Sequence, residues 1–179
     1  NSNGLIESVA SGLPRIDFLG GTGQILLEPA STNLFTYSQD LTNSDWHHLS
    51  EVTVTASSEL APTGQLDANL VEFSGSGRSF IRQTFTVPSL ATVSVFAKKG
   101  NWRYIGLRNF EDSANPHSVF DFDTNTFVNV SSGQSASFEI LNNGWYRLQV
   151  INPSPSSNSI AGFGITDATG NVLDPTGGQ

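Results

Sequence analysis

The feature that most limits how this chain can fold is a succession of short alternating segments, each closed by turn residues. Ten follow one another: Glu51–Ala56, Ala68–Phe73, Ser79–Thr86, Ala91–Ala97, Trp102–Arg108, His117–Asp123, Phe127–Val130, Ser135–Leu141, Trp145–Ile151 and Ile160–Thr166. Between them stand Ala61-Pro-Thr-Gly64, Ser74-Gly-Ser-Gly77, Lys99-Gly-Asn101, Asp123-Thr-Asn125, Asn142-Asn-Gly144 and Pro153-Ser-Pro-Ser-Ser-Asn158. Alternation marks half-buried strands, and Gly, Pro and Asn clusters mark turns. Many short strands at this spacing predict an all-β protein built as an antiparallel sandwich or barrel. Ser38–Trp46 carries a weak helical-turn signal, and no internal repeat is present.

Composition agrees. Of 179 residues, 37% are hydrophobic and only 13% charged, which suits a turn-rich β domain with a full core. Sixteen acidic residues face eight basic ones, a formal charge of −8. Binding to nucleic acid needs clustered Lys and Arg, so no nucleic acid is expected as a partner. Cysteine is absent, which excludes disulfides and thiolate metal sites. No apolar run approaches the roughly 20 residues of a membrane helix, so no membrane partner is expected, and no signal peptide is recognisable. A start at Asn-Ser-Asn-Gly and a lack of Met lead to the expectation of a piece of a longer or processed polypeptide.

The expected organisation has three parts. Residues 1–40, with the broken extended pieces Leu13–Phe18 and Gly23–Pro29, read as an N-terminal arm or linker. Residues 41–170 form the β-sandwich module, and residues 171–179 a C-terminal linker.

Two strands carry tryptophan. Side chains of a strand alternate between faces, so Ile105 and Leu107 share one face while Trp102, Tyr104 and Arg108 share the other. Likewise Tyr146, Leu148 and Val150 oppose Trp145, Arg147 and Gln149. A face of Trp, Tyr, Arg and Gln is poor core material, because its polar groups would need buried partners. It suits a flat hydroxylated ligand such as a sugar, whose C–H face packs on a ring while polar handles take the hydroxyls. Phe96, Lys98, Asp121 and Asp123 would join the same groove if their strands were neighbours. A bland reading stands beside this one: Trp145 is a fold residue, Trp46 plugs the sandwich end, Arg147 pairs with Asp121 or Asp123, and the face is a subunit contact.

Catalysis has weaker support. A glycosidase needs two carboxylates about 5–10 Å apart, a spacing that Asp121 and Asp123 can reach, but nothing else in the chain points that way. His47 and His48 point apart on an extended segment, and His117 has no companion ligand in sequence.

Several strings resemble a module common in bacteriophage tail and fibre proteins. These are Pro14-Arg-Ile-Asp-Phe18, Ile25-Leu-Leu-Glu-Pro-Ala-Ser-Thr-Asn-Leu34, Tyr37-Ser38 and Trp46, with Ala61-Pro-Thr-Gly64, Asp67-Ala68, Val93–Lys98 and Gly144-Trp-Tyr-Arg147 further on. Such modules are similar to jelly-roll carbohydrate-binding modules of the family-four/nine type. The resemblance implies a jelly-roll-like sandwich and a non-catalytic role on a virion appendage. Its expected partners are host cell-surface polysaccharide and other virion subunits, in a homo-oligomer for which a trimer would suit a fibre. No cofactor is expected beyond the structural calcium that such modules often carry, with Asp112, Asp167, Asp174 and Glu7 as candidate donors. The glycan contacts expected are Trp102, Tyr104, Arg108, Trp145, Arg147, Gln149 and Asp121. Structural decoration of the virion, or an accessory sugar-binding domain of a polysaccharide-degrading enzyme, are the alternatives. The family pattern continues into a last strand that this chain does not reach before Gln179.

Overall fold

The computed structural model describes residues 15–18, 22–26, 32–49, 52–74, 79–110, 118–156 and 159–172. They form β1 (Arg15–Asp17), β2 (Gln24–Leu26), β3 (His47–Leu49), β4 (Val52–Leu60), β5 (Leu66–Phe73), β6 (Phe80–Thr84) and β7 (Ala91–Lys98). Then follow β8 (Tyr104–Asn109), β9 (Ser118–Asp121), β10 (Thr126–Asn129), β11 (Ser135–Ile140), β12 (Trp145–Asn152) and β13 (Ile160–Ile165). There is no α-helix among the described residues, and every strand pairing is antiparallel.

Six strands make one sheet in the order β10-β9-β8-β13-β6-β3, and three make a second in the order β11-β12-β7. The two pack face to face. Leu107, Phe120 and Ala161 from the larger sheet meet Ala91, Val93, Leu148 and Val150 from the smaller, all of them buried. Alternation fixes which residues go in: on β7, Ala91 and Val93 are buried while Thr92, Ser94, Phe96 and Lys98 are exposed. The all-β sandwich predicted from the strand pattern is the fold observed, and each of the ten predicted segments overlaps a strand.

The segment at Ser38–Trp46 is not helical. Asp40 Oδ1 accepts from the Thr42 N–H and hydroxyl, and Asn43 Oδ1 accepts from the Asp45 N–H. Such side-chain bonds compete with a helical ladder and leave a string of turns, after which β3 adds to the sheet edge. The turns carry Trp46, 7% exposed, onto Phe35 in a stack with ring centroids 5.2 Å apart. Phe35 meets Phe85 edge-on, Trp46 lies 6.4 Å from Phe163, and Gln83 Nε2 donates to the Thr36 carbonyl. Phe35 to Trp46 thus docks as one piece across the boundary expected at residue 40.

A buried amide crosses the sandwich. Asn109, the last residue of β8, is fully buried, and its Nδ2 donates to the Val150 carbonyl at 2.8 Å and the Ala91 carbonyl at 3.2 Å. Its own carbonyl accepts from Asn152 Nδ2 at 2.7 Å and Gln134 Nε2 at 3.3 Å. Replacing this side chain leaves two buried carbonyls without their cross-sheet donor. Asn109→Leu is expected to destabilise the domain by roughly 1–3 kcal/mol. Urea unfolding followed by tryptophan fluorescence reads the loss, and an unchanged midpoint would mean that the amide is dispensable.

Candidate functional site

The expected single groove does not form. β8 belongs to the six-stranded sheet and β12 to the three-stranded sheet, and their inner faces meet in the core. Their outer faces therefore look away from each other. Tyr104, Arg108 and Asp121 lie on one side of the sandwich, and Trp145, Arg147 and Gln149 on the other, while Trp102 falls in the turn before β8 and belongs to neither strand face. The alternation within each strand is as expected; adjacency between the strands is not.

On the three-stranded sheet, Arg147 stands between Phe96 and Glu139, and Gln149 between Ser94 and Ser137. All share the outer face. Phe96 is 42% exposed, with the Arg147 guanidinium carbon 5.9 Å from its ring centroid. Arg147 Nε also reaches Ser94 Oγ at 3.5 Å. This places an exposed ring within a field of hydroxyl, amide and guanidinium groups on paired, regular strands. Its two ends differ. At one, Trp145 is 7% exposed, and its indole Nε1 donates to the Leu60 carbonyl at the tip of the β4–β5 hairpin. Beside it Lys98 Nζ is ion-paired to Glu59 at 2.9 Å. The burial of Trp145 favours its reading as a fold residue that fastens the hairpin.

On the far side, Tyr104 is half-buried with the Arg103 guanidinium 4.9 Å from its ring centre, and Trp102 is half-buried in the turn ahead of β8. Arg108 is 8% exposed and Asp121 only 1%. Asp121 is engaged rather than open to a ligand. Its Oδ1 accepts from Arg103 Nε at 3.0 Å and from the Asp123 N–H at 2.9 Å, while Oδ2 accepts from Arg103 Nη2 at 2.8 Å. This is the two-pronged match of guanidinium and carboxylate. Asp123 binds Lys99 and also lies 3.4 Å from Arg103 Nε. Both carboxylates therefore serve a charge cluster at the β8–β9 end, and the pairing of Arg147 with Asp121 is replaced by that of Arg103.

Among the candidate calcium donors, Asp112, Asp174 and Glu7 lie outside the described residues. Asp167 closes a turn: it accepts from the N–H and hydroxyl of Thr169 and from the N–H and side-chain amide of Asn171. Burial pushes its carboxyl up, but those bonds from Asn171 and Thr169 outweigh burial and hold it below the usual range. Among the described residues no three His, Asp or Glu groups converge as metal ligands would.

Sequence reading passed over Arg82 and the glycines beside it. Arg82 of β6 pairs with Gly162 of β13, which pairs in turn with Arg108 of β8, while His47 of β3 flanks Arg82 on the other side. The signal was the i, i+2 glycine pair in Ile160-Ala-Gly-Phe-Gly-Ile165, which strips the side chains from one face of a strand. Comparison of the chain with protein-family models and with curated proteins finds no match.

The Asp121 cluster carries a pH signature. The hydrogen bond from Arg103 holds the Asp121 carboxyl down at about 2 against burial, which pushes the other way. A folded pKa below the unfolded value of 3.8 adds stability that is complete above that value and is lost as pH falls toward about 2. Because Arg103 is 44% exposed, solvent screens the pair, and Asp121→Asn should cost about 1–2 kcal/mol at pH 7. Denaturant unfolding at several pH values should show the gap between parent and variant closing between about pH 4 and 2. A gap independent of pH would place the stabilisation elsewhere.

Proposed function

We propose that this chain is a non-catalytic module of a bacteriophage tail fibre or related virion appendage. It binds host surface polysaccharide through the outer face of the three-stranded sheet. The observation that carries the reading is the exposed Phe96 ring, bordered by Arg147, Ser94 and Gln149 on a rigid strand pair. A ring of this kind offers contact area to the C–H face of a sugar, and the surrounding donors and acceptors reach its hydroxyls. The phage context comes from the resemblance of the Ile25–Leu34 string and its companions. A single shallow platform binds weakly, and an appendage recovers affinity by presenting several copies, so a homo-oligomer fits the role.

A structural reading, as a decorating or connecting domain of the virion, has one observation in its favour. Phe138 and Ile140 are 39% and 61% exposed on β11, an edge strand of the smaller sheet, as a subunit contact would require.

A glycan array probed with a multivalent form of the chain separates the two. Phe96→Ala is expected to lower binding to the recognised polysaccharide by about tenfold or more without changing thermal stability. Trp145→Ala should instead lower the melting temperature. If the parent protein binds no surface polysaccharide, the structural reading takes its place.

A further inference from the structure

The six-stranded sheet carries a second, chemically different surface. Strands β3, β6, β8 and β13, read as His47–Leu49, Phe80–Thr84, Tyr104–Asn109 and Ile160–Ile165, contain two arginines, two histidines and no Asp or Glu. That is unexpected in a chain with sixteen acidic residues and a charge of −8. The register places Arg108, Gly162, Arg82 and His47 side by side across the four strands, on the face turned away from the core.

Gly162 adds no side chain to this row, and it is itself buried. A Cβ there would lie 2.1 Å from the Ile81 carbonyl oxygen and 2.8 Å from Arg82 Cα, so no other residue fits without moving backbone. The two arginine backbones are two strand spacings apart, about 10 Å, but Arg108 is 8% exposed and already engaged, so Arg82 and the exposed His47 are the members of the row that reach solvent. Arg82 is half-buried, its Nε is buried without an acceptor, and no carboxylate of the described residues lies in ion-pair reach of it. The contrast with Lys98, Lys99 and Arg103 is sharp, since each of these has an acidic partner. A buried donor with no acceptor costs stability, and a guanidinium is shaped for the two oxygens of a carboxylate.

We infer that Arg82, beside the exposed His47 toward the β3 edge of the sheet, seats the carboxylate of an acidic saccharide. The carboxylate satisfies the Arg82 fork. The choice of a saccharide rests on the glycan reading above; the anion seat does not. Because this face and the Phe96 face lie on opposite sides of the sandwich, their ligands bind independently.

Isothermal titration with oligogalacturonate, neutral malto-oligosaccharide and oligoglutamate tests this on the full chain. Oligogalacturonate should bind and weaken with added salt, while the neutral oligomer should not compete. Arg82→Gln should lower its affinity about tenfold or more. Arg82→Lys, which keeps the charge but not the fork, should fall in between. Phe96→Ala should leave it unchanged. In the parent protein, amide NMR signals of His47, Arg82 and Gly162 should shift on titration, a readout that needs no variant to fold. Equal binding of neutral and acidic sugars, unchanged affinity in Arg82→Gln, or shifts confined to β7 and β12 would each overturn the seat. Tighter binding of oligoglutamate than of oligogalacturonate would overturn the saccharide as its ligand. Polysaccharide binding that is unchanged in Phe96→Ala, with oligogalacturonate binding still lost in Arg82→Gln, would defeat the earlier reading and leave this one standing.

Discussion

The amide of Asn109 is the polar contact that ties the two sheets together. Apolar packing between sheets is tolerant of sliding, because one methyl group serves nearly as well as another. A donor that must meet two particular carbonyls is not tolerant. By reaching Ala91 on one edge strand and Val150 on the central strand of the smaller sheet, Asn109 fixes how β8 lies over β7 and β12. Asn152 then returns a bond from β12 to the Asn109 carbonyl, closing the link in both directions. The match is one-sided, since Asn109 Oδ1 is itself buried without a donor, so the link rests on the Nδ2 bonds and on the backbone carbonyl.

With the sheets set in this way, the chemistry of the outer faces follows from alternation alone. On β12, Leu148 and Val150 are committed to the core, so Arg147 and Gln149 must face out. On β8, Leu107 and Asn109 are committed inward, so Tyr104 and Arg108 must face out on the opposite side. Trp145 shows how a residue on an outward position can still be removed from solvent. The β4–β5 hairpin folds its Leu60 carbonyl over the indole N–H, and the Lys98–Glu59 pair stands beside it.

Most of the fold was legible because its signal is local. Each strand advertises itself by two-residue alternation and each turn by Gly, Asn or Pro, and these read correctly from Val52 to Ile165. His47–Leu49 escaped because three residues are too few to show a period, and because its pairing to Phe80–Arg82 is decided by a partner more than thirty residues away. The site was less legible for the same reason. Faces of single strands could be read, but which strands share a sheet is a long-range property, so Trp102 and Trp145 were grouped across a core that separates them. The fate of Asp121 was equally hidden. Its partner is Arg103, which an unbroken strand from Trp102 would turn to the face of Ile105 and Leu107, but which stands in the turn before β8.

The glycines of β13 link fold and function most tightly. Glycine weakens a strand and is retained where backbone must come close. At Gly162 and Gly164 that approach is visible, since a Cβ would strike the carbonyls of Ile81 and Ser79. The closeness of β6 and β13 is thus sufficient reason for both glycines, whether or not anything binds above them. Arg82 is different. Packing explains a residue with an aliphatic stem at this position, but not a guanidinium whose Nε is buried without an acceptor. The glycines are a consequence of how the sheet is built, and the unpaired arginine beside them is what that packing leaves unaccounted for.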